Sequence, residues 1–102
     1  MNNLDKSWNE WFLIAINKES FIDINILNNE SQKFILNEDK TKWNIHLSQY
    51  NEGKLIRSSF IINYFETEKL VETKNKSIYK LGKPFNKNQL EILNYFFIED
   101  SN

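Results

Sequence analysis

Three kinds of side chain in this sequence could do chemistry: one imidazole, a serine pair and a run of lysines. The imidazole is His46, the only histidine of a chain that has no cysteine. It falls on the polar side of an alternating run. Metal sites built on imidazole recruit more than one strong ligand, so His46 reads as an ordinary hydrogen-bonded histidine and no metal is expected. Ser58 and Ser59, with His46 and any of several carboxylates, match the composition of a hydrolase triad. The strained Gly-x-Ser-x-Gly turn that exposes such a serine is missing, so no catalytic residue and no enzyme activity are expected. Gly53 and Gly82 are the only glycines. Standing alone, they cannot form a phosphate-cradling loop, and no cofactor is expected.

The lysines point to binding instead. The chain carries 13 basic and 14 acidic residues for a net charge of −1. Within it, residues 54–88 hold seven Lys and Arg57 against three Glu, between two acidic flanks. A middle segment of opposite sign to both ends marks either a binding face or internal pairing after folding, and lysines also keep edge strands from pairing with other chains. The candidate partner-binding residues are Arg57, Lys74, Lys76, Tyr79, Lys80 and Lys83. Tyr50, at a turn, and Tyr95, outside the apolar stripe of a helix, join them as aromatics open to a partner.

The elements that must position these residues are read from periodicity. Ser7 and Glu10 have the spacing of a capping box, and Leu4, Trp8, Trp11, Phe12 and Ala15 share a stripe at helical spacing, which predicts an N-terminal helix over about 8–17. A strand competes for the same stretch, because residues 11–16 are continuously apolar and such a run has no diagnostic period. From residue 21 the period is two, with a strand over 21–27, a turn at 28–31 and a short strand over 33–37. Trp43, Ile45 and Leu47 then alternate with Asn44, His46 and Ser48, and Gly53 can take the positive φ of a hairpin loop. Residues 55–66 read as a long strand with Ile56, Ser58, Phe60, Ile62 and Tyr64 on its apolar face. Strands over 70–74 and 77–81 follow, joined at Asn75-Lys76. Asn86 as N-cap, Gln89 at the third helical position, and Phe85 against Leu90 predict a C-terminal helix over about 87–98. Trp8, Trp11, Trp43 and Phe60 are expected in the core.

Arg57-Ser58-Ser59, Val71-Glu72-Thr73-Lys74 and Tyr79-Lys80-Leu81-Gly82 together resemble the C-terminal β-meander of small uncharacterised bacterial and prophage one-domain proteins, over about residues 56–82. Those proteins usually have Pro after the second Ser and Gly-His-Pro before the preceding turn, where this chain has Phe60 and Leu47-Ser48-Gln49. The resemblance implies a shared sheet and no known activity.

With 102 residues, 40% of them hydrophobic and 15% aromatic, the chain is expected to close one core as a single domain, 1–102. The expected fold class is α+β: an antiparallel β-meander of five or six strands with the C-terminal helix on one face and the N-terminal helix beside it. No apolar run approaches a membrane span. The opening residues lack the pattern of a signal peptide and cysteine is absent, so a cytoplasmic location is expected. The function that fits best is a small protein-binding inhibitor module of the immunity-protein or phage anti-defence type, an anti-CRISPR for example, acting by occupying a partner's surface. The alternative is a nucleic-acid-binding accessory protein using the basic segment 54–88, disfavoured because lysine lacks arginine's bidentate geometry and the chain as a whole is not basic. Tyr95 and Ile98 outside the helix stripe leave a homodimer through the C-terminal helix open.

Overall fold

The N-terminal stretch is extended, not helical. The computed structural model describes residues 4–21, 23–24, 28, 30, 35 and 40–98, and its first elements are two strands, β1 (Leu4–Trp8) and β2 (Phe12–Asn17). The helical stripe misleads because β2 is buried on both faces: Phe12, Leu13, Ile14 and Ala15 are all inaccessible to solvent, which erases the alternation by which a half-buried strand is recognised. The capping box does not form. Glu10 stands at φ 56° and gives its amide to the Lys83 carbonyl at 2.6 Å, so the chain kinks there between the strands.

After β3 (Asp23–Ile24) and a 3-10 turn at Lys40–Lys42 come β4 (Trp43–Asn51), β5 (Lys54–Phe65), β6 (Leu70–Thr73), β7 (Ile78–Leu81) and the helix α1 (Asn88–Phe97). The strands lie in the order β1-β7-β6-β5-β4-β2-β3. β4 to β7 form the expected antiparallel meander, but the whole sheet is mixed, because β1 runs parallel to β7. The strand expected over 33–37 and most of the 21–27 strand lie outside the described residues. Of the former, Ile35 is described, and it is helical rather than extended and buried in the core, because a short apolar run carries no period that tells a strand from a helix.

The sheet closes on itself. β1 pairs with β7 while β2 pairs with β4, yet only Asn9, Glu10 and Trp11 separate β1 from β2. The seam runs on past β7: Gly82 N donates to Trp8 O (2.8 Å), Glu10 N to Lys83 O, and Phe85 N to Trp11 O (2.8 Å). The last rung is a side chain. Gln89, fully buried in α1, accepts the Leu13 amide on its Oε1 at 2.9 Å, replacing the strand that β2 lacks there. Gly82 suits the seam, since a Cβ there would displace the Asn9 side chain and lie 3.1 Å from the Trp8 carbonyl.

Trp8, Trp11, Leu13, Trp43, Ile45, Leu47, Ile61, Tyr64 and Val71 fill the interior together with Ile92 and Leu93 of α1. The alternation in β4 is as expected. In β5 it breaks twice. Ser48 faces Arg57 and His46 faces Phe60, so Ser58 and Ser59 both stand opposite Leu47. Ile62 is likewise inserted between the pairs Ile61–Thr73 and Asn63–Glu72. Each extra residue shifts the faces, so Ile61 and Tyr64 turn inward. Phe60, expected in the core, lies half-buried outside, and Ile62 is exposed.

The helix spans Asn88–Phe97, one residue inside the expected range at each end. Asn86 does not cap it: the N-cap is Lys87, with no side-chain hydrogen bond. Phe85 packs on Phe12 with ring centroids 5.9 Å apart. At the other end Lys40 Nζ donates to the Tyr95 carbonyl at 2.8 Å, supplying the cation that a helix C-terminus favours.

Candidate functional site

The candidate residues separate into three groups. Tyr50, Arg57 and Lys83 gather around one exposed apolar surface. Tyr50 and Leu55 are cross-strand partners, and Ser48 pairs with both Phe12 and Arg57, so Tyr50, Leu55, Phe12 and Arg57 share the outer face of β2, β4 and β5. Phe12 is buried beneath this face, with Tyr50 stacked 5.5 Å from its ring on one side and Phe85 on the other. What reaches solvent is Tyr50 at 59%, Phe85 at 50% and Leu55 at 47% exposure. Three large apolar side chains, each about half exposed, on one surface mark a contact site better than scattered single residues do. Arg57 lies two residues beyond Leu55 on the same face, Lys54 closes the hairpin, and Lys83 and Lys87 stand two residues to either side of Phe85; all four are exposed.

Lys76, Tyr79 and Lys80 form a second group, at the β6–β7 hairpin and along β7. Lys76 takes the turn at φ 70° and donates its amide to Thr73 O at 2.8 Å. Tyr79 is not a free stacking platform: it is half-buried against Trp8, 5.3 Å between centroids. Lys80 Nζ is turned to the Glu68 carbonyl at 2.8 Å.

Lys74 and Tyr95 approach a third feature, a cavity of about 300 Å³ lined by Lys18, Lys40, Asn44, Phe60, Phe96 and Phe97 among others. Lys74 Nζ lies 5.5 Å over the Phe60 ring and Lys40 Nζ 4.5 Å over that of Tyr95. Tyr95 also meets Phe96 edge-on at 4.9 Å, and burial pushes its hydroxyl pKa up. Ile98 packs against the core, because the chain leaves the helix there at φ −109°, ψ 105° and a helical wheel no longer describes it. Tyr95 and Ile98 are thus both partly covered, Tyr95 by Lys40 and Phe96 and Ile98 by the core.

The serine–histidine set holds the first β5 bulge. Ser58 Oγ accepts the Leu47 amide at 3.1 Å and donates to Ser59 O at 2.6 Å. His46 Nδ1 lies 2.9 Å from the Ser58 carbonyl, which only accepts, so Nδ1 carries the proton. Burial lowers the His46 pKa below 6.5; the Ser58 carbonyl works against this and the Arg57 charge with it. Tyr64 is raised, by burial and then by Glu66. Among the described residues no three His, Asp or Glu side chains group as a metal site, and no helix is long and apolar enough to cross a membrane.

Phe85 and Leu55 are the surface residues that sequence reasoning missed. Phe85 was assigned to a hydrophobic staple and Leu55 to a strand start; the signal that could have found them is an apolar residue set between Lys83 and Lys87, and one between Lys54 and Arg57. Compared with protein-family models, curated proteins and solved structures, the chain matches none. The resemblance over residues 56–82 thus rests on its motifs alone.

Proposed function

We propose that the protein is a protein-binding module that acts by occupying a partner's surface through Tyr50, Leu55 and Phe85. The observation that carries this reading is the exposure of these three side chains, Tyr50 and Phe85 against buried Phe12 and Leu55 across the strand from Tyr50. Aromatic anchors with an arginine at the margin are the composition of binding hot spots. The flanking Lys54, Arg57, Lys83 and Lys87 favour an acidic partner. An inhibitor of the immunity-protein or anti-defence kind is the finer form of the same proposal, since a small domain can inhibit by covering another protein's working surface.

The alternative, nucleic-acid binding through the basic segment, draws on Lys74, Lys76 and Lys80. Packing of Tyr79 on Trp8 and the attachment of Lys80 to a backbone carbonyl weigh against it. One sample separates the two readings. A stoichiometric, nuclease-resistant protein complex that is lost in Tyr50→Lys/Leu55→Glu supports the first. A salt-sensitive gel shift that is lost in Lys74→Glu/Lys76→Glu/Lys80→Glu, with no protein complex, overturns it.

A further inference from the structure

The edge of β5 beside the aromatic surface carries backbone groups that no strand among the described residues uses. Asn51 and Lys54 flank a two-residue turn in which Glu52 and Gly53 both have positive φ, 53° and 81°. Such a turn makes its flanking residues a mutually hydrogen-bonded pair. Along an antiparallel ladder these pairs alternate with unbonded ones. Leu55 and Arg57, opposite Tyr50 and Ser48, therefore point their N–H and C=O groups away from β4. Phe60, the next outward residue after the bulge, bears out the assignment, because its carbonyl accepts the Lys74 amide at 2.9 Å. There the cover ends: β6 pairs only with residues from Ile61 to Phe65. No strand among the described residues lies against Leu55 and Arg57.

An open edge of this kind is a template for one more strand. Lys54 and Arg57 are the charged residues of its exposed stretch, and Lys74 follows directly on the end of β6, beside Phe60. A second copy of the chain pairing there would bring these cations against their own equivalents. An acidic strand would meet opposite charge, and would lay its alternate side chains over Leu55 and Tyr50. We infer that the partner docks by adding an extended acidic segment to the Leu55–Arg57 edge of β5. This rests on the protein-binding reading and specifies its mode.

The test uses the full chain and two synthetic peptides, one alternating Glu with Val and one alternating Lys with Val, titrated at low salt and followed by amide chemical shift and hydrogen exchange. The free protein should exchange the Leu55 and Arg57 amides fast. The acidic peptide should shift and protect those two amides, bind about tenfold more tightly than the basic one, and weaken as salt rises. Arg57→Pro, which deletes one outward N–H at an edge where proline is tolerated, should abolish binding, whereas Arg57→Gln should weaken it only a few-fold. Should Arg57→Pro fail to fold, the amide readout on the unaltered chain decides. Slow exchange of both amides in the free protein, equal binding of both peptides, or shifts confined to other residues would overturn the inference. Failure here with capture of a protein through Tyr50 and Leu55 removes the strand mode and leaves the function. Edge binding with no such capture does the reverse.

Discussion

Replacing Gln89 by Met should unfasten the seam where the sheet closes. The Gln89 side chain is wholly buried and its Oε1 accepts the Leu13 amide at 2.9 Å. Met matches its length and flexibility but offers no useful acceptor, so a buried N–H loses its partner. The desolvation cost of such an orphan is about 1–3 kcal/mol. In a domain of about this size each kcal/mol lowers Tm by roughly 4–8 °C, which places the expected loss at roughly 4–24 °C in a thermal melt followed by circular dichroism. Hydrogen exchange gives a local readout: the Leu13 amide should be protected in the parent and fast in the variant. Gln89→Glu sharpens the argument. Burial raises a carboxyl pKa above its unfolded value of about 4.3, so the variant should be at its most stable below that value. It should lose stability relative to the parent as pH rises, since the proton must then be given up or kept at a cost. A Gln89→Met melt within 1–2 °C of the parent, or a Gln89→Glu stability profile parallel to the parent's between pH 4 and pH 8, would refute the claim that this amide completes the ladder.

Other expectations follow from single buried groups. Thr73 is fully buried and its hydroxyl has no hydrogen-bond partner among the described residues, so Thr73→Val should stabilise by about 1 kcal/mol in urea unfolding; a loss would show that the hydroxyl is satisfied. Since the folded-state pKa of His46 is below 6.5, its contribution is fully present above that pH and declines as pH falls through 6.5 towards the folded value. His46→Gln should flatten this part of the stability curve between pH 7 and pH 5, and an unchanged slope would count against it. Gly82→Ala should cost about 1–3 kcal/mol through the clash with Asn9 and the approach to the Trp8 carbonyl. A Tm equal to the parent's would mean that the seam has more room than the geometry allows.

Legibility in the sequence tracked how many faces of each element are buried. β4 was readable because Trp43, Ile45 and Leu47 face the core while Asn44 and His46 are only partly covered. β2 was not, because both its faces are covered and its apolar run carries no period. The β5 bulges lay beyond reach for a different reason: Ser58-Ser59 gains its meaning from Leu47 and His46 across the sheet, and no local pattern announces it. The error at Phe60 follows directly, since the residue inserted at Ser58-Ser59 moves the next side chains to the other face, until the second insertion at Ile62 returns Tyr64 to the expected one. Likewise, the parallel pairing of β1 with β7 depends on contacts between the two ends of the chain. Of the candidate surface, Tyr50, Arg57 and Lys83 were named from charge and turn position. Phe85 and Leu55 were not, because a staple and a strand start each gave an apolar residue a local use, and what sets them beside Tyr50 and Arg57 is the closure of the sheet.

Whether Tyr50 and Leu55 hold a protein partner is open to direct measurement. Quantitative affinity capture from the native host, with nuclease present, compares the parent with Tyr50→Lys/Leu55→Glu, a pair that replaces an apolar cross-strand contact by an ion pair in the same register. Melting of both proteins is recorded alongside. The expected result is one protein held in stoichiometric amount by the parent and reduced about tenfold or more in the variant, a loss of about 1.4 kcal/mol or more, with Tm preserved within about 5 °C. The same protein retained equally by a folded variant, or nucleic acid as the sole captured species, would contradict it.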